Sequence, residues 1–177
     1  MYVDSGGHVA TGAGHRLPNA AAAAALPWRH RGTGRAATRP DIDDAFHRVR
    51  VQGSGRTALA YRVASDLVLP AGVAGDLVIA RLDEELLPGL RAAFRSYDRY
   101  PAPARRALVE MAFDLGVARL RKFRNLIAAC ERGDFATAAE HCHRHGRREA
   151  RNAATRALFC DAANDPRRRL ENERGCG

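Results

Sequence analysis

Residues 2–15 read Tyr2-Val3-Asp4-Ser5-Gly6-Gly7-His8-Val9-Ala10-Thr11-Gly12-Ala13-Gly14-His15. Tyr2-Val3 and Val9–Thr11 are short β-prone runs. Asp4-Ser5-Gly6-Gly7 between them is turn chemistry, because glycine tolerates positive φ and Asp bonds its own backbone two residues on. The pattern predicts a β-hairpin. Gly12 and Gly14 then allow a further bend or close backbone packing. The segment presents one carboxylate, Asp4, at the hairpin turn and one imidazole, His15, behind two glycines. The simplest role for Asp4 is a turn residue that accepts nearby backbone N–H groups.

Outward from the hairpin the pattern changes from period two to helical. Asn19 caps Ala20–Ala25, and Pro27 stops it. Residues 28–39 are rich in Gly and Arg and read as a surface loop. Pro40, Asp41, Asp43 and Asp44 open a second helix with Phe46 and Val49 inward. Residues 57–69 have no clear type. From Val73, Leu77, Ile79, Leu82, Leu86, Leu87 and Leu90 support a helix broken near Pro88. Leu108, Met111, Ala112 and Leu115 repeat at i, i+3, i+4, i+7, which defines one apolar face ending at Gly116. Phe123, Leu126, Ile127 and Cys130 form the next such face. Asp134 starts another helix, with Phe135, Ala138, Ala139 and Cys142 inward. A last helix runs from about Glu149 through Phe159. A small β element followed by a helical body is α+β.

The chain has 177 residues, a formal net charge of +9 and a pI near 10.4. All but one of its 29 basic residues are arginine, the exception being Lys122. Such a surface is permanently cationic and attracts polyanions. There is no apolar run of membrane-spanning length, so membrane insertion is not expected. Residues 1–7 lack the basic and apolar regions of a secretory signal. Cys130, Cys142, Cys160 and Cys176 fit no C-x-x-C frame, and reduced thiols are the default. Cys130 and Cys142 read as small core residues, and Cys176 as exposed. His141, Cys142, His143 and His145 resemble a metal tract, with His141 and His145 four apart on a predicted helix, but no second ligand pair follows. The expectation is therefore no metal and no cofactor. Asp83, Glu84 and Glu85 read as a solvated helix face. Arg105-Arg106, Arg119–Arg124 and Arg147–Arg151 are basic groups on or near helices. Without aromatic interleaving or a known module they do not make a nucleic-acid site.

The quoted hairpin resembles that of the phage-type lysozymes (muramidases), a group that includes pesticin-like domains. The motif is Tyr, any residue, Asp, a Gly-containing turn, then Thr, any residue, Gly, any residue, Gly, His. RRALVEMAFDLG resembles the family's central helix. KFRNLIAACERGDFATAAEHC is similar to the following helix pair, and REARNAATRALF to the last helix. The resemblance covers about residues 2–17 and 103–160.

It implies a lysozyme-like α+β fold over residues 1–164. A hairpin lobe would span about 1–17, a helical body about 40–164, and a flexible basic tail 165–177. Asp4 would stand at a cleft between the lobes. It implies cleavage of the N-acetylmuramic acid to N-acetylglucosamine bond of peptidoglycan. That chemistry uses two carboxyl groups, one protonated and one ionised. Asp4 takes the second-carboxylate position. His15, with Gly12 and Gly14, takes a bracing or substrate-binding role. The Thr position holds Ala10, and Thr11, one step along, points to the opposite face of its strand. The family's general-acid Glu falls before Met1, so hydrolysis by this chain is expected to be impaired. The alternatives are a non-catalytic peptidoglycan-binding or assembly module and, more weakly, a basic nucleic-acid-binding protein. The resemblance further implies a monomer, made in the cytoplasm of a bacterium or phage host, whose partner is peptidoglycan.

Overall fold

A computed structural model describes residues 1–4 and 6–165. The expected basic tail beyond Asp165, including Arg167–Arg169 and Cys176, lies outside the described residues. Among the described residues the fold is α+β, mostly helical with two small antiparallel sheets. The chain forms two compact units, Met1–Leu82 and Asp83 onward.

In the first unit, β1 (Tyr2–Val3), β2 (Val9–Thr11) and β3 (His15–Arg16) form a three-stranded antiparallel sheet in chain order. Strands this short are marginal alone. They persist because Val3 and Val9 join a buried cluster with Ile42, Phe46 and Val49 of α2 (Arg39–Arg50). Burying each such side chain contributes about 1.5–3 kcal/mol. Helix α1 (Ala20–Ala24) is capped by Asn19, which accepts from Ala22 N at 2.8 Å. Helix α2 begins with a reciprocal capping box. The Thr38 hydroxyl accepts from Asp41 N, and Asp41 accepts from Thr38 N at 2.8 Å.

Residues 28–39 are not simply a loop. Trp28 is buried and donates its indole N–H to Ala23 O at 2.7 Å. Arg29–His30 forms β4, which pairs with β5 (Leu67–Val68). The unclear stretch 57–69 holds a 3-10 helix, Ala58–Val63, ahead of β5. Helix α3 (Ala71–Arg81) closes the unit. Helix α2 packs on the first sheet, and both belong to the unit that ends at Leu82.

The break expected near Pro88 lies earlier. Leu82–Leu86 is a π-helical turn, and Pro88 sits in the first turn of α4 (Leu87–Ala93), where its missing N–H costs nothing. Asp83, Glu84 and Glu85 are exposed on that turn.

The second unit continues with α5 (Ala102–Leu115), α6 (Val117–Leu120), α7 (Arg124–Glu131), α8 (Phe135–Glu140) and α9 (Glu149–Ala163). Leu108, Met111 and Ala112 are fully buried, while Leu115 is only partly so. Helix α9 packs against both α5 and α8. Gly116, at φ 76°, ends α5. Gly89 lies so close to Val117 that a Cβ there would stand 2.7 Å from a Val117 methyl group. Cys130 and Cys142 are buried, and burial pushes the Cys130 thiol up to about 12.

Candidate functional site

The register Tyr2↔Ala10↔Arg16 puts these three residues on one face of the first sheet. Strand alternation adds Asp4 to that face. Val3, Val9, Thr11 and His15 occupy the other face. Thr11 is directly opposite His15, and both are on the face away from the Asp4 carboxylate. The hairpin thus separates the motif residues. Asp4 and the Ala10 position share one side, and Thr11 and His15 the other.

Asp4 holds the turn together. Its Oδ1 accepts from Gly6 N at 2.8 Å and His8 N at 2.9 Å, and its Oδ2 accepts from Arg16 Nε at 3.1 Å. The main chain closes the same turn, with Asp4 N donating to His8 O and Gly7 N to Asp4 O. The side chain is 20% exposed. Partial burial alone would raise its pKa. The N–H groups of His8 and Gly6, with the Arg16 guanidinium, outweigh that and hold it below the usual carboxylate range. Asp4 is a carboxylate that stays ionised.

The motif glycines Gly7, Gly12 and Gly14 have φ of 81°, 53° and 97°. A side chain at any of them would strain the backbone. Gly14 also lets the Arg81 guanidinium approach, because a Cβ there would lie 3.5 Å from its Nη1. Tyr2 lies between these charges. Burial and Asp4 raise its pKa, and Arg81 opposes them. Ala10 is fully buried, so its face has no hydroxyl at the motif's Thr position.

The His tract is not helical. Helix α8 ends at Glu140, so His141 and His145 do not stand one turn apart. His143 and His145 pack edge to face, with ring centroids 5.1 Å apart. Among the described residues no group of three or more His, Cys, Asp or Glu side chains could hold a metal ion. Two open cavities of about 360 and 400 Å³ are lined by Trp28, Arg29 and Ile42 and by Phe123, Asn125 and His143 respectively. Asp4 lines neither.

One polar centre escaped the sequence reading. Arg144 is completely buried, with Nη1 2.7 Å from Glu110 Oε2 and 3.2 Å from Asp114 Oδ2. Its Nη2 donates to the Thr155 hydroxyl at 2.7 Å and to Arg151 O. Asn152 Oδ1 accepts from Arg144 N, and Arg147 and Arg151 pair with Asp114 and Glu110 from the side. The signal available was Glu110 and Asp114, four apart on the central helix. Every polar atom here has a partner, so the cluster braces α5 against α9.

No family model matches the chain, and no curated protein or solved structure matches it.

Proposed function

We propose that this chain is a lysozyme-like module that engages peptidoglycan, with Asp4 as the carboxylate that remains charged during glycoside cleavage. The observation that carries the reading is the Asp4 environment. Two backbone N–H groups and a guanidinium keep it ionised beside a turn whose glycines stand at the motif positions with positive φ. In glycoside hydrolysis one carboxyl group protonates the leaving oxygen, and the other stabilises the oxocarbenium-like state or activates water. A depressed pKa suits Asp4 to the second role and not to the first.

Hydrolysis by this chain is impaired in this reading. Ala10, at the motif's Thr position, supplies no hydroxyl to hold a water. The non-catalytic binding module is the second reading. It is favoured by the engagement of both Asp4 oxygens in the turn. The cationic surface supports either, since bacterial wall polymers are anionic.

The test is co-sedimentation with purified cell walls alongside a turbidity assay, with Asp4→Asn as the comparison. Sedimentation with slow or absent clearing is the expected result. Robust clearing abolished by Asp4→Asn would establish an intact hydrolase. Failure to sediment with walls, combined with salt-sensitive binding to DNA, would overturn the wall reading in favour of nucleic acid.

A further inference from the structure

Among the described residues the large hydrophobics that stand exposed are Val51, Leu59, Val63 and Ile79. Three of these four fall in one short stretch, at 79%, 60% and 87% exposure for Val51, Leu59 and Val63. Val51 caps the end of α2, and Leu59 and Val63 lie on the 3-10 helix that follows. The stretch is rooted. Tyr61 is buried and its hydroxyl donates to Gly53 O at 2.6 Å, tying the 3-10 helix to the turn after α2. Val49 and Ala64 are buried at its two ends. The aliphatic side chains are therefore held outward by an anchored segment.

Charge says what they face. Between Asp44 and Asp66 the sequence has no acidic residue, yet it carries Arg48, Arg50, Arg56 and Arg62, all exposed. Arg48 is engaged with Asp44 and with Ala64 O. Exposed aliphatic groups interspersed along the stretch with exposed arginines match the boundary of an anionic bilayer, where apolar tips enter the acyl region and guanidinium groups meet lipid phosphates. A soluble polyanion would use the arginines and leave the aliphatic groups idle. No helix of the described residues is long and apolar enough to cross a membrane, so the contact is peripheral.

We infer that residues 50–63 form a docking surface for an anionic lipid bilayer, with Val51, Leu59 and Val63 as the inserted groups and Arg50, Arg56 and Arg62 as the phosphate contacts. The inference does not rest on the peptidoglycan reading.

Co-sedimentation with vesicles tests it, using phosphatidylcholine alone and phosphatidylcholine mixed with phosphatidylglycerol. The expected result is binding to the mixed vesicles only, weakening with salt. Leu59→Ser with Val63→Ser keeps the charge and lowers partitioning about tenfold or more. Ile79→Ser, which removes the exposed aliphatic outside the stretch, leaves binding unchanged. Val51→Ser serves as an independent variant, and thermal melts confirm that each variant folds. No binding to the mixed vesicles overturns the inference. So does equal binding by the double variant, which would reduce the effect to charge. Self-association lost in the double variant, without vesicle binding, would instead make the patch an interface between copies and overturn it too.

Discussion

Arg16 donates from Nε to Asp4 Oδ2 at 3.1 Å, from β3 to the end of β1. The contact joins the outer strands of the sheet across β2, and it is the charged part of what keeps Asp4 ionised. Replacing Arg16 with Gln removes the positive charge and leaves the backbone donors of Gly6 and His8 in place. The Asp4 pKa is then expected to rise from its depressed position toward the ordinary 3.8. A carboxyl-carbon NMR titration of the two proteins reads this directly. An unchanged titration would mean that the turn amides alone set the charge state.

Gly89 and Val117 set the spacing of α4 and α6. A Cβ at residue 89 would meet one Val117 methyl at 2.7 Å and the other at 3.1 Å. Two effects oppose each other in Gly89→Ala. Helix propensity favours Ala by about 1 kcal/mol. Overpacking against a β-branched neighbour costs about 1–3 kcal/mol. The clash is expected to win, so Gly89→Ala lowers stability in urea unfolding. Val117→Ala removes the obstructing methyls, and in that background Gly89→Ala becomes neutral or stabilising.

The Arg144 cluster predicts a larger effect. Arg144→Met leaves the Glu110 and Asp114 carboxylates without their central cation, with Asp114 only 9% exposed. Breaking such a pair from one side costs about 3–5 kcal/mol. The Tm of the variant should fall accordingly. Combining Arg144→Met with Glu110→Gln should cost less than the two changes added, because they share one network. Strict additivity would show that the contacts contribute separately.

What could be read in advance was local. Asn19 and Asp134 precede apolar periodic runs, and the structure has each as an N-cap with its side chain bonded to the first turn. Leu108, Met111 and Ala112 follow a helical period and are buried as a set. The Asp4 turn was legible for the same reason, since Asp-x-Gly chemistry closes within four residues. Distant pairings were not. Arg29–His30 finds Leu67–Val68 across more than thirty residues, and neither dipeptide carries a strand signal. Arg144 sits in a run of histidines and arginines that reads as solvated surface. Only the packing of α5 against α9 turns it inward.

His30 joins these distant segments, and its charge makes the joint pH-dependent. Nδ1 lies 2.8 Å from Asp66 Oδ2, and Nε2 lies 3.3 Å from Asp41 Oδ2. The bonds to Asp66 and then Asp41 raise the imidazole above its ordinary 6.5. Asp41 is held down at about 2, first by the Thr38 amide, then by the Thr38 hydroxyl and His30. Asp66 is lowered chiefly by His30. A raised folded pKa contributes stability that is full below 6.5 and is lost as pH climbs through the elevated value. The lowered carboxylates contribute above 3.8 and lose it as pH falls, for Asp41 through about 2. The arrangement around His30 is therefore strongest in mildly acidic solution, where both partners are charged. Tm measured from about pH 5 to pH 9 should fall on the alkaline side, across the range where histidine loses its charge. His30→Gln keeps a polar group of similar reach but cannot titrate. It should lower the Tm in mild acid and flatten the alkaline fall, whereas a fall of unchanged size in His30→Gln would assign it to another group.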